Sequence, residues 1–368
     1  MHWIKEILQQ YDIHDEFSLV PFGSGLIHHT WKLQHKEHCY ILQQLNQKVF
    51  TEPWAIAENI DRVAKYLALH DPEYLFIAPL KNMEGNAMVY LHNHGYFRLL
   101  PFVENSVSHT VAASSQLAFE AAKQFGKFAR LLSALPPEEL NITLPHFHDL
   151  TLRYQQFEQA CRDGNTLRIA ESVQQINFLR EHHDVVDQYN EIRSQKICLL
   201  CPTHHDTKIS NVLFDQQGTG VCVIDLDTLM PGYFISDVGD MMRTYLTAFS
   251  EEEKDLSLIQ IKEDYFRAIA EGYLSEMRGI LTKEELGCFV YSGIFITYMQ
   301  SLRFLTDHLM YDRYYGASYE GHNLVRAKNQ IALLQQMLQK KDRLEQIVLE
   351  TLNRPPLTVH GLEIKKFR

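Results

Sequence analysis

Two short apolar runs, residues 212–214 and 221–224, stand on either side of Gln216-Gln217-Gly218-Thr219-Gly220. Short runs rich in β-branched residues, joined by a Gly-containing turn, predict a β-hairpin. The N-terminal third is also of strand type. Residues 17–21 run into Gly23-Ser24-Gly25, and residues 26–33 and 38–45 follow as further strands. Residues 76–80, 87–91 and 96–102 read as three more, joined by turns at 82–86 and 93–95. Helical periodicity interrupts this region twice. Residues 1–11 form an amphipathic helix, and Ile56, Ile60, Val63, Ala64 and Leu67 recur at helical spacing after a Glu52-Pro53 start.

From Ala112 onward helical spacing dominates. Phe119, Ala122, Phe125, Phe128, Ala129 and Leu132 make a buried face over residues 117–135, which Pro136-Pro137 ends. Asp149 is the expected N-cap of a helix over 150–161. Further helices are expected over 236–249, 259–278, 283–308 and 323–352. The pattern therefore predicts an α+β chain. A β-rich N-terminal lobe (1–103) meets a helical C-terminal lobe (104–368) at a hinge near Val103-Glu104-Asn105-Ser106.

Composition narrows the function. The 368 residues suffice for two lobes and a large core. Net charge is −11 with no Lys/Arg-rich run, which disfavours a nucleic-acid backbone as partner. No apolar run approaches the ~20 residues that span a bilayer, and residues 1–11 lack the apolar core of a signal peptide. With six scattered cysteines, the expectation is a cytoplasmic protein with free thiols. Cys198-x-x-Cys201-x-x-His204 invites a zinc reading, but it lies in a strand-type run with no second ligand pair at zinc-finger spacing.

The candidate chemistry sits around the central hairpin. Asp206 lies on the loop that enters it, Asn211 at one base and Asp225 at the other. Converging Asp, Asn and Asp suit phosphoryl transfer, which asks for positioning and charge neutralisation more than covalent help. One carboxylate can accept the proton of an attacking hydroxyl, while an amide and a second carboxylate offer hard oxygens to Mg²⁺. Lys208 can set a point charge against a phosphate. Arg303 lies in the apolar stretch 294–309, where a charge needs a carboxylate or a ligand.

The pattern His204-x-Asp206-x-Lys208-x-x-Asn211, then Ile224-Asp225-Leu226-Asp227, resembles the catalytic and metal-binding segments of kinase-like enzymes, and within them the aminoglycoside phosphotransferase and choline kinase family. A narrower likeness, to the N-acetylhexosamine 1-kinases, rests on Val223-Ile-Asp-Leu-Asp-Thr-Leu-Met-Pro-Gly232, Ser236-Asp237-Val-Gly-Asp-Met-Met-Arg243, Leu302-Arg303-Phe-Leu-Thr-Asp-His-Leu and Tyr319-Glu-Gly-His322-Asn323-Leu-Val-Arg326. The resemblance implies a two-lobed protein-kinase-like fold and transfer of the ATP γ-phosphate to the anomeric hydroxyl of an N-acetylhexosamine or related sugar. It implies Asp206 as base and Lys208 as γ-phosphate contact. Asn211 and Asp225 are then the Mg²⁺ ligands, with Asp227 in reserve. Gly23 and Gly25 fall in a loop over the nucleotide phosphates, Gln44 stands on the third strand, and Glu58 is the helix glutamate. Arg303 becomes a sugar contact, and Asp237 either caps its helix or braces the catalytic loop.

Two departures stand out. Relatives carry a basic residue on the third strand, where this chain has Gln43-Gln44, and Leu26-Ile27-His28 replaces the usual end of the Gly loop. The alternatives are a kinase for another small alcohol, such as choline or an aminoglycoside, and a catalytically silent kinase-like binding protein.

Overall fold

The computed structural model describes residues 2–14, 16–23 and 27–354. In chain order its elements are α1 (His2–Gln9), β1 (Ser18–Pro21), β2 (His29–His35), β3 (His38–Gln44), α2 (Pro53–His70), β4 (Val89–Leu91) and β5 (Gly95–Pro101). Helices α3 (Ser115–Leu131), α4 (Leu150–Asp163), α5 (Thr166–Glu171), α6 (Val173–Glu181) and α7 (Asp184–Ser194) follow. Then come β6 (Cys201–Thr203), β7 (Val212–Phe214), β8 (Gly220–Val223) and β9 (Met230–Gly232). Helices α8 (Phe234–Tyr245), α9 (Glu263–Met277), α10 (Lys283–Gly287), α11 (Phe289–Leu309), α12 (His322–Gln339) and α13 (Lys341–Asn353) complete the chain. The architecture is the expected two-lobed α+β kinase-like fold.

The N-terminal lobe is an antiparallel sheet in the order β1-β2-β3-β5-β4. Strand residues alternate between faces, and the two faces differ sharply. Leu33, Leu42, Phe97 and Leu99 turn to one side and pack with Ile4, Ile7 and Leu8 of α1 in a small core. The opposite face carries Val20, Thr30, Lys32, Ile41, Gln43, Arg98 and Leu100, which the register places in cross-strand rows. That face looks toward the helical lobe.

The larger core is helical. Helix α3 starts at Ser114, whose side chain accepts from Leu117 N, and packs closely along α9. Only glycine fits at position 272 of that contact, since a Cβ there would collide with the Phe119 carbonyl oxygen. Ile56, Ile60, Val63 and Leu67 of α2 join this core, so α2 leans on the helical lobe although it lies between β3 and β4 in sequence. As expected, the Asp149 side chain caps α4 by accepting from Leu152 N.

Three expectations need correction. Residues 76–80 form no strand. Pro79 has no N–H to give, Leu80 N makes a single bond to Leu99 O, and Tyr74 and Phe76 instead stack on Phe128 of α3. The helix expected over 283–308 is two, because a Thr282/Glu285 capping box starts the short α10 and the chain restarts after Cys288. The helix expected over 323–352 is likewise divided, with Lys340 between α12 and α13.

Candidate active site

The site is built on two small β-ribbons. Strands β7 and β8 form the expected hairpin, with Val212 opposite Val223. Strands β6 and β9 pair alongside, with Thr203 opposite Met230. The catalytic loop leaves β6 through His205, whose φ of 66° is left-handed, and the chain after β8 turns at Asp225 with φ 62°. Two non-glycine residues in that region mark places where surrounding structure overrides local preference. At His205 the cause is visible. Its N–H and that of His204 donate to the Asp237 carboxylate at 2.7 and 3.0 Å. Its ring Nδ1 faces the carbonyls of Thr203 and Thr228 at 3.0 and 3.1 Å. The ring lies over Gly232, where any Cβ would strike it. Thr207 Oγ1 donates to the Asp237 carbonyl and Tyr245 OH to the Thr207 carbonyl. Asp237 therefore braces the loop, and no side chain caps α8.

His204 fixes the next step. Its Nε2 lies 3.0 Å from the Ile224 carbonyl and its Nδ1 accepts from Asp206 N at 3.3 Å. The ring packs edge-on against Phe125 and Phe128. One imidazole thus ties Asp206 to the residue before Asp225.

Around the Asp206 carboxylate, Lys208 Nζ stands 3.0 Å from Oδ1. Asn211 Nδ2 donates to Oδ2 at 3.1 Å and to the Asp206 carbonyl at 2.9 Å. Burial opposes ionisation of Asp206, but the adjacent Lys208 ammonium and His204 outweigh it and bring its pKa below the usual value. The same contact, led by the Asp206 charge, raises Lys208. Because the Asn211 amide nitrogen is committed to Asp206, its oxygen is left as the acceptor.

Asp225 is different. It is exposed, and no side-chain hydrogen bond holds it among the described residues. Desolvation by the surrounding protein, together with the Asp227 and Asp206 charges, pushes its pKa up to about 6. An oxygen set of this kind, short of positive charge, fits a divalent cation. Asp225 and the Asn211 oxygen can serve as ligands, and an Asp227 oxygen lies within 4.8 Å of Asp225.

Asp227, in contrast, is already surrounded. Arg98 grips it in a fork, NH1 to Oδ1 at 2.5 Å and NH2 to Oδ2 at 3.1 Å, and His28 Nε2 reaches Oδ2 at 2.6 Å. Asn46 N donates to His28 Nδ1, so the His28 proton sits on Nε2 and points at the carboxylate. Burial would raise the Asp227 pKa, but Arg98 and His28 hold it well below the carboxylate range.

The other candidate residues fall as follows. Gly23 has φ 79°, suited to a turn after β1, and Gly25 lies outside the described residues. Gln44 is on the α1 face of the sheet, where it donates to the His94 carbonyl. Gln43 is the glutamine that faces the hairpin. Glu58 is exposed on α2 and accepts from Asn141, away from Arg98. Its neighbour Asn59 is buried and donates to the Leu229 carbonyl.

Arg303 of α11 projects into a box of rings. Its guanidinium carbon lies 5.4 Å from the centroids of Phe147 and Tyr315 and 5.6 Å from Tyr314. Its hydrogen bonds go to Tyr314 OH and Gln300, and among the described residues no carboxylate pairs with it. Phe147 also contacts His205 and stacks on His148, which joins the box to the catalytic loop. The carboxylates nearby are taken. Asp240 and Glu251 bind Arg243, and Glu251 also binds Arg326.

Residues 18–278 match the phosphotransferase enzyme family. The chain belongs to this family. Solved structures agree on the fold. An aminopropanol kinase associated with a microcompartment superposes with a TM-score of 0.64 at 14% identity, over 94% of this chain and 98% of that one. An aminoglycoside phosphotransferase from Alicyclobacillus acidocaldarius gives 0.61 at 12% identity, over 94% and 96%. A choline kinase from Cryptosporidium parvum gives 0.54 at 14%, over 92% and 94%. The chain is accordingly a member of a phosphotransferase family, and no helix among the described residues is long and apolar enough to cross a membrane.

Sequence reasoning passed over Arg98, and the rings of Phe147, Tyr314 and Tyr315. A charge between Phe97 and Leu99 in a strand was the available signal for the first. The rings offered none, because they come from separate segments.

Proposed function

We propose that this phosphotransferase is an ATP-dependent kinase that phosphorylates the anomeric hydroxyl of an N-acetylhexosamine or a related sugar. The observation that carries the acceptor class is the Arg303 box. Aromatic rings offer flat apolar faces to the C–H groups of a sugar, and a guanidinium offers donors to hydroxyl or acetamido oxygens. A cationic acceptor such as choline or an aminoglycoside would need those ring faces free for its own charge, or an unpaired carboxylate. Instead an arginine faces the rings, and the neighbouring Glu251 and Asp240 are neutralised by Arg243 and Arg326.

Asp206 is the base. Its ionised carboxylate takes the proton of the sugar hydroxyl, and an anomeric hydroxyl is more acidic than an ordinary sugar alcohol, so a carboxylate suffices. Lys208 leans toward the γ-phosphate while holding Asp206 ionised. Asn211 and Asp225 would hold Mg²⁺, which when bound neutralises charge on the nucleotide phosphates. The apolar part of the hairpin-facing sheet surface, Val20, Ile41 and Leu100, gives the base a place beneath the sheet.

ADP release measured across sugars, choline and aminoglycosides tests the reading, with phosphorus NMR of the product to place the phosphate. A 1-phosphate is expected, with no turnover of the 1-O-methyl glycoside. A 6-phosphate would overturn the anomeric assignment, and turnover of choline alone would overturn the sugar.

A further inference from the structure

We propose that Arg98, on β5, is the cation that holds the nucleotide phosphates, doing from the neighbouring strand what a basic residue on β3 does in similar kinases. The inference rests on the kinase reading and adds a binding residue to it.

Three observations lead to it. The first is register. Thr30, Gln43 and Arg98 are successive cross-strand partners on the face that looks at the hairpin, so the Arg98 side chain leaves the sheet beside the position of Gln43. The second is orientation. Gln43 Nε2 donates to Thr30 Oγ1 at 3.2 Å, and Arg98 Nε donates to Gln43 Oε1 at 2.9 Å. Gln43 therefore serves as a bracket for the guanidinium, which explains an uncharged residue at that place. The third is unused capacity. A guanidinium has five N–H donors. One goes to Gln43 and two to Asp227, which leaves one on each terminal nitrogen. Among the described residues these two have no partner; they point to opposite edges of the guanidinium, and either can donate a charge-assisted hydrogen bond to a phosphate oxygen. The charge also lies where it is needed, since its partner Asp227 is two residues from Asp225.

The competing role is a strut that only ties the sheet to Asp227. A charge transplant separates the two. Arg98→Gln keeps a hydrogen-bonding side chain and removes the cation, and Gln43→Lys in that background returns a cation to β3. Binding of a non-hydrolysable ATP analogue, followed by calorimetry without acceptor, is the readout, with thermal unfolding as the control for folding. Arg98→Gln should weaken binding by about tenfold or more, the scale of one charged contact. Arg98→Lys should lose less, and Gln43→Lys/Arg98→Gln should recover most of the affinity. Unchanged affinity in a folded Arg98→Gln protein would overturn the proposal. So would weakened affinity that neither lysine variant recovers, which is the result for a strut. If the wild type itself binds no nucleotide, the kinase reading fails rather than this assignment alone.

Discussion

The two arginine sites, Arg98 on the sheet and Arg303 on α11, are built on opposite plans. On the proposed nucleotide side, Arg98 is buried to 3% exposure and locked to Asp227 and Gln43. On the proposed acceptor side, Arg303 is half-buried among three rings with no carboxylate partner among the described residues. The first guanidinium is oriented before any ligand arrives, as a polyphosphate of constant shape allows. The second is held loosely by stacking and two long hydrogen bonds of 3.2 and 3.4 Å, as recognition of one particular acceptor allows. Preorganisation lowers the ordering cost of binding, so the rigid side suits a nucleotide and the open side an acceptor.

The catalytic loop that separates the two sides gives the largest expected effect. Asp206→Asn removes the base while leaving both arginines in place. Turnover should fall by roughly 10²–10⁴, the usual scale of general-base catalysis, with ATP and sugar affinities near those of the wild type. Near-normal kcat would remove Asp206 from the role and leave the two sides without a common centre.

Asp225→Ala comes next and should act on one side only. Loss of a metal-held carboxylate removes several kcal/mol of interaction with the phosphates, so Mg²⁺-dependent nucleotide affinity should drop by on the order of a hundredfold. Calorimetry with and without Mg²⁺ checks it. Unchanged Mg²⁺ dependence would move the metal to other ligands, with Asp227 the first to test.

Arg303→Ala should act on the other side. A hydrogen bond to a charged group contributes ~1.5–3 kcal/mol, so the acceptor KM should rise between about tenfold and a hundredfold while the KM for ATP holds. A rise in both would mean that Arg303 supports the loop through Phe147 and His205 rather than touching the acceptor.

These two sides also differ in how legible they were. Asp206, Lys208, Asn211 and Asp225 lie within twenty residues, and the hairpin that unites them is announced by its own apolar runs and turn. Local spacing therefore carried the proposed catalytic centre. The cation of the sheet could not be placed that way, because strand pairing sets Arg98 beside Gln43 across 55 residues of chain. The same cause moved Gln44 to the α1 face. A one-residue step along a strand reverses the side chain, and only the observed register decides which glutamine meets the hairpin. Glu58 was read by analogy with a helix glutamate that pairs a strand cation. Here Asp227 takes that partner, and Glu58 is left to Asn141. The strand expected at 76–80 failed for a tertiary reason, since its aromatic neighbours gain more by stacking on Phe128 than its proline-interrupted backbone gains by pairing.

The smallest predicted effect concerns the closed ion pairs beside the Arg303 box. Glu251 binds Arg243 at 2.6 Å and also Arg326. Burial works against its charge, but the two guanidinium groups prevail and lower its pKa to about 2 from an ordinary 4.5. A carboxylate with a depressed folded pKa binds its proton more weakly in the folded state than in the unfolded one. Its contribution is therefore complete above about pH 4.5 and is lost as pH falls toward 2. Glu251→Gln should lower stability at pH 7 by on the order of 1–3 kcal/mol. It should also flatten the fall in Tm between pH 4.5 and 2, so that the two curves converge in acid. Because Arg243 keeps Asp240 and Arg326 keeps its place over Phe304 at 3.8 Å, acceptor KM should move by less than it does in Arg303→Ala. Parallel Tm curves at every pH would show that Glu251 acts by packing rather than by charge. An acceptor KM that rises as far as it does in Arg303→Ala would erase the distinction between the closed arginines and the open one, and would make all of them part of a single acceptor surface.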